Sequence, residues 1–479
     1  MIGIKSYGAY LPKYLMSRDL IAQAWDFPAV PGNKAFANAD EDSLTMAIEA
    51  GLDCLTGIDP KSIDGLFFAS TTQVYTEKDS ASFIATVLDM RKDIITNDFS
   101  DSLKAGTSAL ARAVDTIKAN EDIKSILVVA ADSRVPEPST MWEFGFADGA
   151  AALLVAEDEE LPISIEDYYS ISANVTGPWK RTKEDKFIRT FEAKMDNRFY
   201  SENITKVMAE IMKRNNLTPE DIDVAAYYYN NPRSHARVSK SMKFGQGVAQ
   251  NGLFFQVGDT GTPMPFMLLI SALKRPKEDA KIIVAGFGDG ADALLMQIRN
   301  RGLVRSLSKD HLGIAGHQKS MVAVKNYSSY IDNKELLEKD RYTRKSSAVI
   351  HWREQASLYQ LYGNKCKECG TIQYPQMYPT CYGCRKSGTM EPIKLKLKGT
   401  IFTFTLDHLL GGNYYVTPIP RCVVDLEGGG RILLDMTEIE KPEETVSIGM
   451  EVELTFRKMH EGGEFHNYYW KIRPIRGRK

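Results

Sequence analysis

One eight-residue pattern occurs twice, and it constrains the fold more than any other feature of the chain. DGAAALLV (Asp148 to Val155) returns as DGADALLM (Asp289 to Met296), identical at six of eight positions. Ahead of each copy lies an apolar run, Ile126 to Ala131 and Ile282 to Phe287. Ahead of each run lies an apolar-faced helical pattern, near Thr107 to Ala119 and near Pro263 to Lys274. This matched order predicts two homologous α/β halves. The runs SILVVAA and KIIVAG are almost wholly apolar, as strands covered by helices on both faces require.

Composition is compatible with such a duplication. The chain has 479 residues, 43% hydrophobic and 25% charged, enough for two or three domains with sizeable cores. A formal net charge of -2 and a pI near 6.4 give no broad footprint for a polyanion, so no nucleic-acid partner is expected. The opening MIGIKSYGAYLP lacks the basic, apolar and small-residue succession of an export signal. The most apolar stretch, Met264 to Leu273, is about half the length that crosses a bilayer and contains Pro265. The expectation is a cytoplasmic protein with no membrane partner. In a reducing compartment, paired CxxC motifs read as metal ligands rather than disulfides.

Four of the six cysteines fit that reading. Cys366, Cys369, Cys381 and Cys384 form C-x2-C-x11-C-x2-C with Gly370 and Gly383 inside the knuckles, the pattern of a closed, structural zinc site. Such a site keeps no open position for catalysis. Cys54 and Cys422 stand alone. Beyond the cluster come GTIFTFTLDH, PRCVVDLE, GRILLDMTE, MEVELTFRK and FHNYYWKIRP, five short extended runs separated by Gly-rich or charged turns. They predict a small all-β barrel of OB type. The expected organisation is a first α/β half over residues 1–165 and a second half with a charged connector over 166–345. A helix with the zinc ribbon follows over 346–390, and the barrel over 391–479.

Sliding one half onto the other so that Ile126 meets Ile282, an offset of 156 residues, places Leu103 opposite Asp259. Both stand where a loop enters a helix, beside orphan backbone N–H groups and the positive end of the helix dipole. That setting depresses a thiol's pKa or stabilises a developing anion. The segment NDFSDSLKAGTSALARAVDTIKAN, followed by SILVVAADS and FADGAAALLV, resembles the nucleophile helix and following strands of the thiolase superfamily, nearest to HMG-CoA synthases and ketoacyl-ACP synthase III. The resemblance spans about residues 1–345 and includes MIGIKSYGAYLP, GDTGTPMPF and AGFGDGADALL. It implies a duplicated five-layered thiolase-like α/β fold, a CoA thioester as substrate and a homodimer. Residues 346–479 resemble the zinc-ribbon/OB-fold proteins that accompany thiolases and HMG-CoA synthases as acyl-CoA-handling partners, which implies a possible thiolase partner.

The catalytic positions depart from that resemblance. The family's nucleophile is a cysteine a few residues before a small-Gly-Thr step; here the step is Ala105-Gly106-Thr107, and Leu103 takes the cysteine's place. The family's strand-end histidine, in a His-Gln-Pro or His-Gln-Ala type turn, becomes Asn230 in Tyr229-Asn230-Asn231-Pro232. The asparagine of its Gly-Asn-Thr step becomes Asp259 in Gly258-Asp259-Thr260. The glutamate that HMG-CoA synthases place after an early strand is not evident in Ser70-Thr71-Thr72-Gln73, although Glu77 follows closely.

Ser102, beside Leu103, could serve as a nucleophile only with a base, and His235 is the one imidazole before His311. A solvated histidine in the basic helix SHARVSK is the simpler reading of His235. Aldol or retro-aldol chemistry needs no acyl-enzyme: helix-terminal N–H groups and Asn230 could hold an enolate oxygen, while Asp259 or one of Tyr227, Tyr228 and Tyr229 exchanges the proton. Strand alternation places Tyr227 and Tyr229 on one face and Tyr228 on the other. The plainer roles are a half-buried aromatic strand for the tyrosines and a helix cap for Asp259.

Three functions follow. The first is a carbon–carbon lyase of aldolase type acting on a β-hydroxyacyl-CoA. The second is an HMG-CoA synthase-like or thiolase-like condensing enzyme or acyltransferase. The third is a non-catalytic subunit that channels acyl-CoA to a thiolase.

Overall fold

The computed structural model describes the chain except residues 101, 176, 182–185, 191, 229–230, 251, 335, 337–346, 377, 410–416, 463–464 and 478–479. It divides into two units: Met1–Ala37 with Asp42–Lys334, and Asn38–Glu41 with Glu335–Lys479.

The first unit is built on a sheet of nine strands. These are β1 (Ile2–Tyr10), β2 (Gly65–Ala69), β3 (Ile95–Phe99), β4 (Ser125–Ser133), β5 (Asp148–Glu157), β6 (Ile163–Ser172), β7 (Val224–Tyr227), β8 (Lys281–Gly288) and β9 (Gly290–Ile298). Their order is β3-β2-β4-β5-β1-β6-β9-β8-β7. In the first half β3, β2 and β4 are parallel, whereas β4–β5 and β5–β1 are antiparallel. The second half repeats this outward from β6: β6–β9 and β9–β8 are antiparallel, and β8–β7 is parallel. Where the first half has β3, the second has, among the described residues, only a bridge from Ala225 to Ala249. The halves join through β1 and β6 by two residue pairs, Gly3 with Ser164 and Ile4 with Ile163.

Helices complete five layers. Helix α1 (Ser43–Cys54) packs outside β1, β4 and β5, and α3 (Ala193–Arg214) outside β6, β8 and β9. Between them, α2 (Ala105–Ala119) touches β2 and β4 of one half and β8 and β9 of the other. Its counterpart α5 (Met264–Ala272), which follows α4 (Pro232–Ser241) in the chain, does the same with β7 and β8, and with β1 and β5. A helix between the two halves of the sheet cannot expose a polar stripe. Accordingly Met264, Phe266, Met267, Leu268 and Leu269 of α5 are all buried, contributing about 1.5–3 kcal/mol each. The most apolar stretch of the chain is thus a core helix, and Pro265 lies in its first turn, where the missing N–H leaves no gap in the ladder. No helix among the described residues is long and apolar enough to cross a membrane.

In the second unit, a short helix at Ala348–Arg353 and another at Gln355–Leu358 meet at Glu354, so the expected single helix is broken there. A three-stranded ribbon follows: β10 (Tyr362–Cys366) lies between β11 (Ile372–Gln373) and β12 (Met390–Lys394). Five antiparallel strands come next, β13 (Lys398–Asp407), β14 (Ile419–Leu426), β15 (Arg431–Asp435), β16 (Glu451–Gly462) and β17 (Phe465–Pro474). They are ordered β15-β14-β13-β16-β17. The open edges approach one another just past β15, where Met436 bridges Ile472 and the Thr437 N–H donates to the Ile472 carbonyl at 2.8 Å. This is the expected small barrel.

Candidate active site

A cavity of about 500 Å³ opens in the first unit at the carboxyl ends of β2, β4 and β8 and the start of α2. Its wall includes the loop Ser70 to Gln73, Ser102 and Leu103, Arg134, and Phe287 to Asp289, with Trp179, Lys180 and Arg181 exposed at the rim. Gly288 decides how close the helix comes. A Cβ there would stand 2.0 Å from Ser102 Oγ, 2.8 Å from the Lys104 nitrogen and 3.0 Å from that of Leu103. Only glycine lets the strand end meet the backbone N–H groups at the positive pole of α2.

Behind Arg134 lies a buried polar chain. Its Nη1 pairs with Asp259 Oδ2 at 2.9 Å, and both side chains are 1% exposed. The Tyr228 hydroxyl donates to the same oxygen at 2.8 Å, and the Gly261 N–H donates to Oδ1 at 2.9 Å. The guanidinium carbon lies 3.6 Å from the Phe146 ring centroid. Burial raises the Asp259 pKa above the usual aspartate value, outweighing the opposing pull of Arg134, the Gly261 N–H and Tyr228. Burial, reinforced by Asp259, holds the Tyr228 hydroxyl protonated well past its usual range. Asp259 does not cap α5, whose N-cap position is Pro263.

A second buried carboxylate, Asp132, organises the Ser70–Thr72 loop. Its Oδ1 accepts from Ser70 Oγ at 3.1 Å, Thr71 N at 2.7 Å, Thr71 Oγ1 at 3.1 Å and Thr72 Oγ1 at 3.0 Å. Its Oδ2 accepts from Thr262 N at 2.8 Å and Thr262 Oγ1 at 2.9 Å.

The residues expected from sequence fall out unevenly. Ser102 lies on the wall, and its Oγ accepts the Asp289 N–H at 3.0 Å. His235 is not on the wall, so the structure does not join it to Ser102 as a base. Nor is it solvated: it is 2% exposed, its ring stacks on Tyr227 at 4.2 Å between centroids, and burial pushes its pKa down to about 4. Tyr227 is turned away from Asp259, its hydroxyl donating to the His235 carbonyl at 3.1 Å. Tyr229 and Asn230 lie outside the described residues. Glu77 is exposed and off the wall. Cys54 is fully buried with its thiol pKa raised by burial, and Cys422 is buried in β14 with its pKa pushed up to about 12. Among the described residues, no cysteine lines the cavity.

A family model for the C-terminal OB-fold domain of ChsH2 matches residues 393–457. The hydroxymethylglutaryl-CoA synthase of Caldivirga maquilingensis is 28% identical over 300 residues, 60% of this chain and 85% of that protein. That of Methanosarcina mazei is 28% identical over 335 residues, 64% of this chain and 94% of that protein. Among solved structures, an HMG-CoA synthase complexed with CoA matches with a TM-score of 0.62 and 17% identity, over 72% of this chain and 94% of that one. A β-ketoacyl-[acyl carrier protein] synthase III from Thermus thermophilus matches with a TM-score of 0.55 and 18% identity, over 63% and 100%.

The chain matches hydroxymethylglutaryl-CoA synthases in sequence, has a thiolase-like fold and carries an OB-fold C-terminus.

In its thiolase-like unit, Leu103 stands at the start of α2 where the resemblance puts the nucleophile, 8% exposed and on the cavity wall. Tyr228 was one of three tyrosines that the sequence offered for proton exchange, whereas Arg134 and Asp132 were missed. A signal for both was present: Asp132 and Arg134 follow the apolar run of β4, whereas β8 ends in glycine. In the OB-bearing unit, the four cysteine sulfurs lie within 4.8 Å of one another, with Cys366–Cys384 at 3.6 Å and Cys369–Cys381 at 3.5 Å. Four thiolates about 2.3 Å from a tetrahedral zinc ion stand about 3.8 Å apart, so the donor set and its spacing fit zinc.

Proposed function

We propose that the thiolase-like unit binds an acyl-CoA thioester and makes or breaks a carbon–carbon bond by aldol or retro-aldol chemistry, without an acyl-enzyme. The observation that carries this reading is the wall itself: the start of a helix with Leu103 instead of a thiol, beside a guanidinium backed by Asp259 and Tyr228. In the cleavage direction, the β-hydroxyl of a β-hydroxyacyl-CoA gives up its proton and the Cα–Cβ bond breaks. An aldehyde or ketone leaves, and the electron pair becomes a thioester enolate, which is then protonated at carbon. Arg134 and the N–H groups entering α2 are the donors for the enolate oxygen. Asp259, with its raised pKa, takes and returns the proton through Tyr228. Run forward, the same steps are a condensation, in keeping with homology to hydroxymethylglutaryl-CoA synthases. Zinc held by Cys366, Cys369, Cys381 and Cys384 is structural in this reading.

The test incubates the full chain with a panel of β-hydroxyacyl-CoA thioesters and traps the released carbonyl compound. Turnover that Asp259→Asn abolishes while zinc content stays unchanged is the expected result. A stable acyl adduct on the protein after incubation with acetyl-CoA would instead establish covalent condensation. One observation favours a second reading, in which the chain holds acyl-CoA for a thiolase: Asp259 and Tyr228 are almost fully buried. Turnover that appears only when a thiolase is added would establish it.

A further inference from the structure

The three hydroxyl groups of the Ser70–Thr72 loop share one carboxylate. Each has a single hydrogen, and each directs it at Asp132 Oδ1, at 3.1 Å from Ser70, 3.1 Å from Thr71 and 3.0 Å from Thr72. A hydroxyl that has donated can only accept. The second sites of two of these oxygens are partly used, because Ser70 Oγ takes the Thr72 N–H at 3.0 Å and Thr72 Oγ1 takes the Ser133 N–H at 2.9 Å. Thr71 Oγ1, on the cavity wall and half-buried, accepts from no described residue. It presents lone pairs to a ligand and wants a donor.

The wall also carries donors. Gln73 Nε2 and Arg134 Nε are buried, and neither has an acceptor among the described residues. They suit a carbonyl oxygen. Charge settles whether that oxygen belongs to a neutral or an ionised group. The guanidinium of Arg134 is already matched by Asp259, and Asp132 adds a second buried carboxylate, whose bonds in this loop and to Thr262 come from hydroxyl and N–H groups. Asp132 and Asp259 stand behind the wall rather than on it, so the buried layer around Arg134 sets one guanidinium against two carboxyl groups. The further cations, Lys180 and Arg181, are exposed at the rim, where Asp289 is exposed too. An acyl group ending in a carboxylate would meet oxygen lone pairs and an uncompensated negative charge.

Resting on the acyl-CoA reading above, we infer that the cavity selects an uncharged, hydroxyl-bearing acyl group, whose hydroxyl donates to Thr71 Oγ1, over acyl groups that carry a second carboxylate. The test is binding, which needs no turnover: titration calorimetry of the full chain with 3-hydroxybutyryl-CoA, butyryl-CoA and 3-hydroxy-3-methylglutaryl-CoA. The expected result is that 3-hydroxybutyryl-CoA binds at least tenfold more tightly than 3-hydroxy-3-methylglutaryl-CoA. Thr71→Val should weaken 3-hydroxybutyryl-CoA about five- to tenfold and leave butyryl-CoA unchanged, as loss of one hydrogen bond would. Thr71→Ser, which keeps the hydroxyl, should restore the preference. Equal or tighter binding of 3-hydroxy-3-methylglutaryl-CoA, or equal weakening of both monoacyl esters by Thr71→Val, overturns the inference while leaving the acyl-CoA reading intact. Failure of every thioester to bind overturns both.

Discussion

The two halves of the thiolase-like unit have diverged in a crossed pattern. At the offset of 156 residues that superposes their strands, Asp132 and Arg134 face Gly288 and Gly290, while Leu103 faces Asp259. Strand registers add a third pair: Gly65 lies beside Ile126 as Val224 lies beside Ile282, which sets Ala69 against Tyr228. The strand end of the first half and the helix entrance of the second thus hold the charges, and they bond to each other as Arg134–Asp259. The reciprocal positions, Gly290 and Leu103, carry no polar side chain. One pseudo-equivalent position is filled by an ion pair and a tyrosine, and the other is emptied by glycines so that a cavity reaches the helix backbone. A duplicated fold can therefore divide labour, with one copy supplying charge and the other supplying space.

That contrast breaks most sharply at the ion pair. Arg134→Met would leave Asp259 as an uncompensated buried charge, and we expect a loss of about 3–5 kcal/mol in urea unfolding. A loss under 1 kcal/mol would mean that the pair is not what holds the filled position. On the emptied side, Gly288→Ala puts a Cβ within 2.8 Å of the Lys104 nitrogen and 3.0 Å of the Leu103 nitrogen. Backbone must shift, at a cost of about 1–3 kcal/mol, and acyl-CoA affinity should fall at least tenfold. Unchanged affinity would remove the helix start from the binding site. A pH profile separates the halves more gently. Because burial raises the Asp259 pKa, a reaction that needs its carboxylate loses rate as pH falls through a midpoint above the ordinary value of 3.8. An acid limb at or below that value, measured on kcat, would take Asp259 out of the proton path.

The large-scale pattern was readable because it rests on repetition and periodicity. The doubled DGA segment, the apolar runs that became β4 and β8, and the buried helices α2 and α5 all follow from local chemistry. The site was readable only in outline. Alternation separated Tyr228 from Tyr227, but no local pattern says that Tyr228 is the one that meets Asp259 while Tyr227 bonds the His235 carbonyl. The basic sequence SHARVSK suggested a solvated histidine, yet the inward residues of that helix are Ser234, His235 and Val238. Arg134 escaped notice because its partner is 125 residues away, and no local pattern encodes a contact across two halves.

The smallest change sharpens the comparison most. Leu103→Cys restores sulfur at the emptied position and should alter stability by only about 1–2 kcal/mol, since the side chain it replaces borders a cavity. A thiol at the start of α2 feels the positive end of the helix and loses its proton more readily than in water. Incubated with acetyl-CoA, the variant is expected to gain an acetyl adduct, detectable by mass spectrometry, that the parent chain does not form. Such an adduct would mean that the helix start still stabilises a developing anion, and that one side chain separates this chain from acyl-enzyme formation. If the variant binds acetyl-CoA and stays unmodified, the helix start has lost that capacity. The enolate oxygen would then depend on Arg134 alone, and the working part of the site would shift wholly to the charged half.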